Sequence, residues 1–275
     1  MSLLQAVLLA VVQGFTEFLP ISSSAHLALA PWLLGWQDQG LTFDIALHFG
    51  TLAAVCVYFF RDWVQIVAQA LALDYQPDAE LRRRPALLWL LAGATAPVAI
   101  VGFLLKDYVE TALRSPYVIG FMMVAVGLLM GWADQVGRRS KTLGDITAGD
   151  GVAIGLAQVL AVIPGTSRSG ITIVAGLFRG IDREAAARFS FLLSTPAIGG
   201  AALKAFLDLM ERGGAPEGMM IPFAAGMATS AVTGCLVIRF FLRYLRHHSL
   251  RFFVAYRIIF GIIVLALAYF RLPAG

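Results

Sequence analysis

The stretches QGFTEFLPISSSAH (residues 13–26) and IPGTSRSGIT (residues 163–172) interrupt apolar sequence with polar side chains that no lipid-facing helix carries. Each stretch places a proline just before a cluster of hydroxyl groups, and together they contain Glu17, His26 and Arg168. An ionisable side chain at membrane depth costs roughly 2.5 to 3.5 kcal/mol on insertion scales, so it usually persists for function. We therefore expect the function to reside in these two stretches.

The rest of the chain has the composition of a polytopic membrane protein. Of its 275 residues, 59% are hydrophobic and only 14% are charged, whereas soluble domains carry about 25% charged residues. The bilayer is therefore the expected partner. The net charge of +4 is interpreted loop by loop as a topology signal, and no nucleic-acid partner is expected.

Six segments are long and apolar enough to cross the bilayer, since a spanning helix needs about 20 mostly apolar residues. Residues 1–36 and 150–182 instead show an apolar run, a polar break with proline and a second short run, which is typical of re-entrant half-helices. Such a break is tolerated only when it is buried in protein or faces a cavity. The six predicted crossings are 41–60, 85–105, 116–133, 184–206, 219–240 and 252–270.

The chain is predicted to be one membrane domain, 1–275, made of two repeats at roughly 1–135 and 148–270. Each repeat is a re-entrant half-helix pair plus three transmembrane helices. Because three is odd, the second repeat starts from the opposite face of the membrane. The predicted fold is therefore an all-α integral membrane protein with an inverted-topology repeat, whose two broken pairs face one another at a shared central site. The matched residues are Gln13 and Gln158, Pro20 and Pro164, and Phe43 and Phe189, at offsets of 145, 144 and 146.

Basic residues predict the orientation, because cytoplasmic loops carry an excess of lysine and arginine. The loops after crossings one, three and five, with the residues leading into crossing four, carry 14 of the 21 basic residues. Both termini and the opening of the site are therefore predicted to lie on the outer, periplasmic side. The 14 are Arg61, Arg82, Arg83, Arg84, Arg138, Arg139, Lys141, Arg179, Arg183, Arg188, Arg239, Arg243, Arg246 and Arg251.

The two breaks have the chemistry of an anion-binding site. Pro20 and Pro164 each end a half-helix, and a serine at 22–24 or Ser167 can cap the next one, so that free N–H groups point into the break. Two helix N-termini, hydroxyl donors and the Arg168 guanidinium together suit a phosphate or diphosphate. The predicted phosphate-binding residues are Ser22, Gly165, Thr166, Ser167, Arg168, Ser169 and Thr172.

The carboxylate of Glu17 would repel a diphosphate by about 4 kcal/mol per unit-charge pair at 4 Å and an effective dielectric of about 20. A helix N-terminus contributes only about 0.3 to 2 kcal/mol. A divalent cation, Mg2+ or Ca2+, that bridges Glu17 and phosphate oxygens is therefore expected. Gln13, four residues earlier on the same helical face, can supply a neutral ligand or orient the carboxylate.

Four ionisable residues, at three places in the chain, have two interpretations each. His26 follows Ser23 by three residues, which suits a general acid or base acting on that hydroxyl, although an isolated membrane histidine is more often a packing residue. Asp44 and His48 form either a metal pair or, as we favour, an intrahelical hydrogen-bonded pair lining the cavity. Arg257 either neutralises a buried carboxylate or reaches phosphate.

The two motifs, their separation and their flanking crossings resemble the undecaprenyl-diphosphate phosphatase family, also called the bacitracin-resistance protein family. The similarity spans essentially the whole chain, including SFLLSTP at 190–196 and AYR at 255–257. The resemblance implies a hydrolase of the bacterial cytoplasmic membrane that removes the terminal phosphate of undecaprenyl diphosphate. The product would be the monophosphate carrier lipid for peptidoglycan synthesis, and bacitracin resistance would follow.

Carried over by position, the resemblance implies catalytic roles for Glu17, Ser23, His26 and Arg168 and a cation held by Gln13 and Glu17. The family's first motif often has glutamate where this chain has Gln13, so a strict two-carboxylate metal site is not expected. Ser23 or a water, activated by His26 and Glu17, would attack the terminal phosphorus of the polyprenyl diphosphate. Only the serine route predicts a phosphoserine.

Two other classes of function remain as alternatives. Broken helices in an inverted repeat are a transporter design, so the cavity could instead flip a polyprenyl phosphate or move a small anion. A non-catalytic lipid-binding or structural protein is disfavoured, because many polar groups converge in the two breaks. The sequence leaves the oligomeric state open, a homodimer included.

Overall fold

The computed structural model describes residues 1–36, 40–105, 108–109, 112–211 and 218–271. Within these ranges the chain is α-helical and has no named strand, only an isolated bridge between Lys141 and Ile181. The described helices are α1 (Leu3–Phe18), α2 (Ser23–Leu34), α3 (Gly40–Tyr58), α4 (Phe60–Ala70), α5 (Ala79–Arg82), α6 (Leu87–Leu104), α7 (Pro116–Val136), α8 (Ala148–Gln158), α9 (Arg168–Phe178), α10 (Arg183–Glu211), α11 (Met220–Leu245) and α12 (Arg251–Arg271).

Four helices, α6, α7, α11 and α12, are long and apolar enough to cross a bilayer, and they match four of the predicted crossings. The predicted crossing 184–206 lies within α10, whose 29 residues extend about 43 Å at 1.5 Å per residue. Large apolar side chains such as Phe103 and Ile221 are more than two-thirds exposed, as expected for contact with lipid tails. The prediction of an all-α, multi-pass membrane protein is confirmed.

The first predicted crossing, roughly 41–60, agrees with α3 to within two residues at each end, but the bend that follows was not predicted. The helix breaks at Phe59, and the chain turns by 72° between Phe43–Tyr58 and Phe60–Ala70. Phe59 is buried in the core, and the apolar run ends at Phe60, directly before Arg61 and Asp62. Hydrophobicity therefore located the end of the straight helix to within two residues but did not show the bend, and the bent pair counts as a fifth candidate span.

Both predicted breaks are present and have the same local conformation. The first break separates α1 from α2, and the second follows a 3-10 turn, Val159–Val162, and precedes α9. The caps are Ser22 (φ 75°, ψ 96°) and Ser167 (φ 71°, ψ 112°). Each cap hydroxyl accepts the N–H three residues later and lies 3.2 Å from the hydroxyl two residues later. This match supports a repeat, although the bounds 1–135 and 148–270 stay a prediction.

Small residues let the broken hairpins pack closely against the crossings. The helix α1 packs on α11 and α3, while α9 packs on α7, α8 and α10. A Cβ at Gly14 would lie 2.8 Å from the Ser230 carbonyl oxygen, and one at Gly155 would lie 2.6 Å from the Ala94 carbonyl oxygen. The hairpins are thus enclosed by helices, and the polar breaks lie inside protein as the sequence predicted.

Ion pairs join several of the loops that were predicted to be cytoplasmic. Arg188 lies 2.6 Å from Asp62 and 2.9 Å from Asp78, and Arg246 lies 2.6 Å from Glu184. Arg83, which directly follows α5, forms a further ion pair with Asp145 in the 3-10 turn Leu143–Asp145. This pair connects the loops after the first and third crossings. These loops therefore share one face of the molecule, as the count of basic residues requires.

Candidate active site

The carboxylate of Glu17 lies at the centre of the site. Its Oε1 accepts a hydrogen bond from Arg168 Nη2 at 2.7 Å. Its Oε2 accepts from Ser23 Oγ at 2.6 Å and from Gln13 Nε2 at 3.2 Å. All four side chains come from the two polar motifs, and Glu17 is buried. The structure therefore brings a hydroxyl, a carboxylate and a guanidinium into direct contact at the junction of the two hairpins.

Arg168 is held in place by α10 as well as by Glu17. Its Nη1 donates to the Ser190 carbonyl oxygen at 3.0 Å. Thr172 Oγ1 donates to the Arg168 carbonyl at 2.8 Å and lies 2.7 Å from Ser190 Oγ. The guanidinium is thus oriented on both sides. This pre-organisation favours recognition of a phosphate, because less side-chain entropy remains to be lost on binding.

Ser23 and Arg168 occupy equivalent positions in the two breaks. Each is the first residue of its helix and directly follows the cap, Ser22 in one case and Ser167 in the other. The first N–H groups of a helix have no partner within it, and they carry the positive end of the helix dipole. The reactive hydroxyl and the guanidinium therefore both lie at helix N-termini, as expected for a phosphate site.

The other predicted phosphate-binding hydroxyls mainly fix the breaks. Ser22 and Ser167 cap their helices, and Ser169 Oγ donates to the Leu19 carbonyl at 3.1 Å, which ties the second break to the first. Among the described residues, Thr166 Oγ1 is buried and has no hydrogen-bond partner. Of these hydroxyl groups, that of Thr166 is therefore the one that most clearly lacks a structural function.

Gly165 is required by the shape of the second break. Its φ is +92°, and an added Cβ would lie 2.6 Å from the Ile119 carbonyl oxygen. Its own carbonyl accepts from Arg257 Nη2 at 2.8 Å. Gly165 thus shapes the anion site through the backbone.

Arg257 connects the two breaks. It is fully buried, and its guanidinium donates to the carbonyl oxygens of Pro20 at 3.1 Å, Gly165 at 2.8 Å and Thr166 at 3.1 Å. Further bonds reach two carbonyls of α7. The contacts found for this guanidinium in the described part of the chain are with carbonyl oxygens, not with a carboxylate. Neither interpretation of Arg257 made from the sequence anticipated this role.

His26 is not in contact with Ser23. Its Nδ1 donates to the Ser22 carbonyl at 2.7 Å, and its Nε2 lies 2.6 Å from the Tyr256 hydroxyl. The ring also stacks on Tyr256 and Phe260. The hydroxyl of Ser23 donates to Glu17 instead. The i, i+3 spacing thus placed the residue near the serines but did not identify its partners.

His48 faces Glu17 from α3. Its Nδ1 donates to the backbone carbonyl of Asp44 at 2.7 Å, and its Nε2 lies 3.7 Å from Glu17 Oε2. The Asp44 carboxylate lies 3.7 Å from Arg114. The favoured intrahelical pair is therefore present, but it uses the backbone of Asp44, and the imidazole belongs to the site.

The residues at Glu17 fit a hard cation in part. Among the described residues, no three His, Cys, Asp or Glu side chains form a metal cluster. The amide of Gln13, however, donates its Nε2 to Glu17, and its Oε1 is buried with no hydrogen-bond partner in the described part of the chain. A carboxylate and an unpartnered amide oxygen are both ligands that Mg2+ and Ca2+ accept. The donor set therefore fits a cation that keeps positions open for substrate oxygens.

Three residues that shape the site have roles that sequence reasoning did not predict. Ser190 orients Arg168, Tyr256 bonds His26, and Arg257 links the breaks. Ser190 and Arg257 are buried polar residues within apolar helices, so polar residues in apolar runs were the available signal. Their partners lie many residues away, and no local spacing predicts them.

Comparison with known proteins identifies the family. The profile of the family described as bacitracin resistance protein BacA matches residues 6–263. Similar proteins named undecaprenyl-diphosphatase include one from Moorella thermoacetica, 47% identical over 98% of this chain and 100% of that protein, and one from Trichlorobacter lovleyi, 48% identical over 97% of each chain. A third, from Desulforudis audaxviator, is 46% identical over 97% of this chain and 98% of the relative. The chain therefore belongs to the bacitracin resistance protein BacA family.

Proposed function

We propose that this protein is a membrane hydrolase that removes the terminal phosphate of undecaprenyl diphosphate and yields undecaprenyl phosphate. The observation that carries the proposal is the contact of Ser23 and Arg168 with one carboxylate, Glu17, where two helix N-termini meet. The full-length relatives named undecaprenyl-diphosphatase support the same substrate. Recycling of this carrier lipid accounts for bacitracin resistance, the property for which the family is named.

Ser23 is the proposed nucleophile and Glu17 its general base. The Ser23 hydroxyl already donates to Glu17 Oε2 at 2.6 Å, within the range of a charge-assisted O–H···O bond. As Ser23 Oγ bonds to the terminal phosphorus, its proton passes to Glu17, and the bridging oxygen leaves with undecaprenyl phosphate. Water then attacks the phosphoserine, and Glu17 returns the proton to Ser23 Oγ as inorganic phosphate is released.

Arg168 stabilises the charge that develops on the transferred phosphoryl group. Its guanidinium is fixed by Glu17 and by the Ser190 carbonyl before substrate binds. A guanidinium forms paired hydrogen bonds with phosphate oxygens, and the N–H groups at the starts of α2 and α9 add fixed donors. These donors are already in place, so little reorganisation accompanies the reaction.

The proposed cation is Mg2+ or Ca2+, with Glu17 and Gln13 Oε1 as protein ligands. When bound, such an ion neutralises phosphate charge and polarises the phosphoryl oxygens. Because Arg168 already compensates part of the Glu17 charge, the repulsion between that carboxylate and the diphosphate is smaller than the sequence alone suggested. The proposed ligands are the Glu17 carboxylate and the amide oxygen of its neighbour Gln13, which has no hydrogen-bond partner among the described residues.

His26 has a positioning role in this scheme. Its imidazole links the Ser22 carbonyl to the Tyr256 hydroxyl, so it fixes the start of α2, where Ser23 lies. A direct acid–base role would require the ring to exchange one of these two bonds for Ser23. We therefore propose Glu17 as the residue that exchanges the proton with Ser23.

The proposed orientation places both termini and the site opening on the periplasmic side of the cytoplasmic membrane. The basic loops share one face, and an excess of basic residues is typical of the cytoplasmic face. The polyprenyl tail stays in the lipid while the diphosphate enters from outside. The transporter alternative is not favoured, since the relatives are named for a diphosphatase.

The test is release of phosphate from undecaprenyl diphosphate by the purified protein in detergent. Hydrolysis needs no second compartment, so this assay separates a hydrolase from a transporter. Arg168→Ala and Ser23→Ala should each lose nearly all activity while remaining folded. Arg246→Ala is the matched control, because that arginine is exposed and pairs with Glu184 on another face.

A second measurement separates the serine and water routes. Substrate labelled in its terminal phosphate should leave label on wild-type protein after rapid acid quenching and none on Ser23→Ala. If Ser23→Ala turns over normally, Ser23 is not the nucleophile. Normal turnover by Arg168→Ala would reject the anion site.

A further inference from the structure

His48 is the second titratable side chain, after Arg168, that lies against Glu17. Its Nε2 is 3.7 Å from Glu17 Oε2, which is longer than a hydrogen bond. Two ligand atoms at about 2.1 Å from one ion are about 3.0 Å apart when adjacent in an octahedron and about 4.2 Å apart when opposite. The observed separation lies between these limits, so one ion can bind both atoms with small side-chain movements.

The hydrogen bonding of His48 leaves the correct nitrogen available. A backbone carbonyl can only accept, so the 2.7 Å contact with Asp44 requires the proton on Nδ1. In the neutral ring, Nε2 then carries the lone pair and faces Glu17. Histidines that bind metals typically donate their other ring N–H to a carbonyl or carboxylate in this way. One-third of the side chain is exposed, which gives an ion a route to it.

The remaining donors complete the argument. Gln13 donates its Nε2 to Glu17, and its amide oxygen is buried without a partner in the described part of the chain. Rotation of the amide by about 180° brings that oxygen to an ion at Glu17. The protein thus offers one carboxylate oxygen, one amide oxygen and one imidazole nitrogen. Mg2+ and Ca2+ prefer oxygen ligands only, whereas an imidazole shifts preference toward first-row transition-metal ions.

We propose that His48 is the third protein ligand of the cation, with Glu17 and Gln13, and that the site binds Mn2+ at least tenfold more tightly than Mg2+ or Ca2+. This inference rests on the proposed function for the existence of a cation site. It assigns the cation a site with mixed nitrogen and oxygen ligands, in place of an oxygen-only site for Mg2+ or Ca2+.

The test is electron spin echo spectroscopy of Mn2+ bound to the purified protein without substrate. The protein should carry an affinity tag free of histidine. Wild type should show the modulation of a directly bound 14N, and His48→Leu should lose it and bind Mn2+ at least tenfold more weakly. His48→Gln keeps a polar side chain that can bind through oxygen, so it should retain Mn2+ without the nitrogen signal.

His248→Gln is the matched control, because that histidine stacks on Tyr244 and should keep the signal. Glu17→Gln should abolish Mn2+ binding at this site. A nitrogen signal that persists in His48→Leu, or wild-type protein that binds Mn2+ without one, would overturn the proposal. Phosphate release measured separately with wild type tests the proposed function, so the two can fail independently.

Discussion

Arg257→Lys tests whether the site depends on the link between the two breaks. The guanidinium reaches Pro20 on one side and Gly165 and Thr166 on the other. Lysine keeps the charge but presents its donors from one point, so it can serve one side only. At least one buried carbonyl then loses its donor, at a cost of about 1 to 3 kcal/mol for each.

The hairpins should then shift relative to one another, and with them Ser23 and Arg168. A misplacement of about 1 Å can cost roughly 100-fold in rate, so we expect kcat to fall at least tenfold and the thermal unfolding midpoint to drop by several degrees. Phosphate release and tryptophan fluorescence in detergent measure these two effects. Arg251→Lys, an exposed residue of the same helix, should change neither. Wild-type turnover and midpoint in Arg257→Lys would refute the reasoning.

Gly165→Ala should lower both the thermal unfolding midpoint and the turnover. The φ of +92° alone costs alanine about 1 to 2 kcal/mol, and the added Cβ would meet a backbone carbonyl of α7. Gly93→Ala is the control, because Gly93 has open space around it, and it should be tolerated in the same assays. Tyr256→Phe removes the hydroxyl bond to His26 and should reduce kcat by tenfold or less, whereas a loss as complete as that of the nucleophile variant would show that this pair takes part in the chemistry. Burial raises the pKa of the Asp78 carboxyl. Hydrogen bonds from backbone N–H groups of α5 and from Arg188 of α10 outweigh burial and hold this pKa below its ordinary value. The stabilisation that ionised Asp78 gives the folded protein is thus present above about pH 3.9 and is lost as the pH falls through the folded-state pKa. The gap in midpoint between wild type and Asp78→Asn should therefore shrink on acidification, and a constant gap would contradict the assignment.

The breaks were predictable from the sequence because their causes are local. A proline lacks the backbone N–H and disfavours helix at the residue before it, a following serine can cap the next helix, and both signals lie within a few residues. The meeting of Glu17 and Arg168 followed from the repeat, which implied two breaks facing one another. The bend at Phe59 was missed, since no proline or glycine marks it in the sequence.

The partners inside the site were harder to predict for a physical reason. Helical spacing directed attention from Ser23 to His26, but Ser23 bonds Glu17 across a break where helical periodicity does not apply. His26 pairs with Tyr256, 230 residues later in the chain. Such contacts depend on how α12 packs on α7 and on how its side chains meet those of α2, so they are a property of the tertiary fold.

The two serine caps have a consequence for attempts to make the protein more robust. A side chain at positive φ costs of order 1 to 3 kcal/mol, and Ser22 and Ser167 each carry that cost. Glycine would relieve the backbone but would remove the hydroxyls that hold the first turns of α2 and α9. Efforts to improve heat or detergent tolerance should therefore leave both serines in place and seek gains at the lipid-facing surface, where the geometry of catalysis is not at stake.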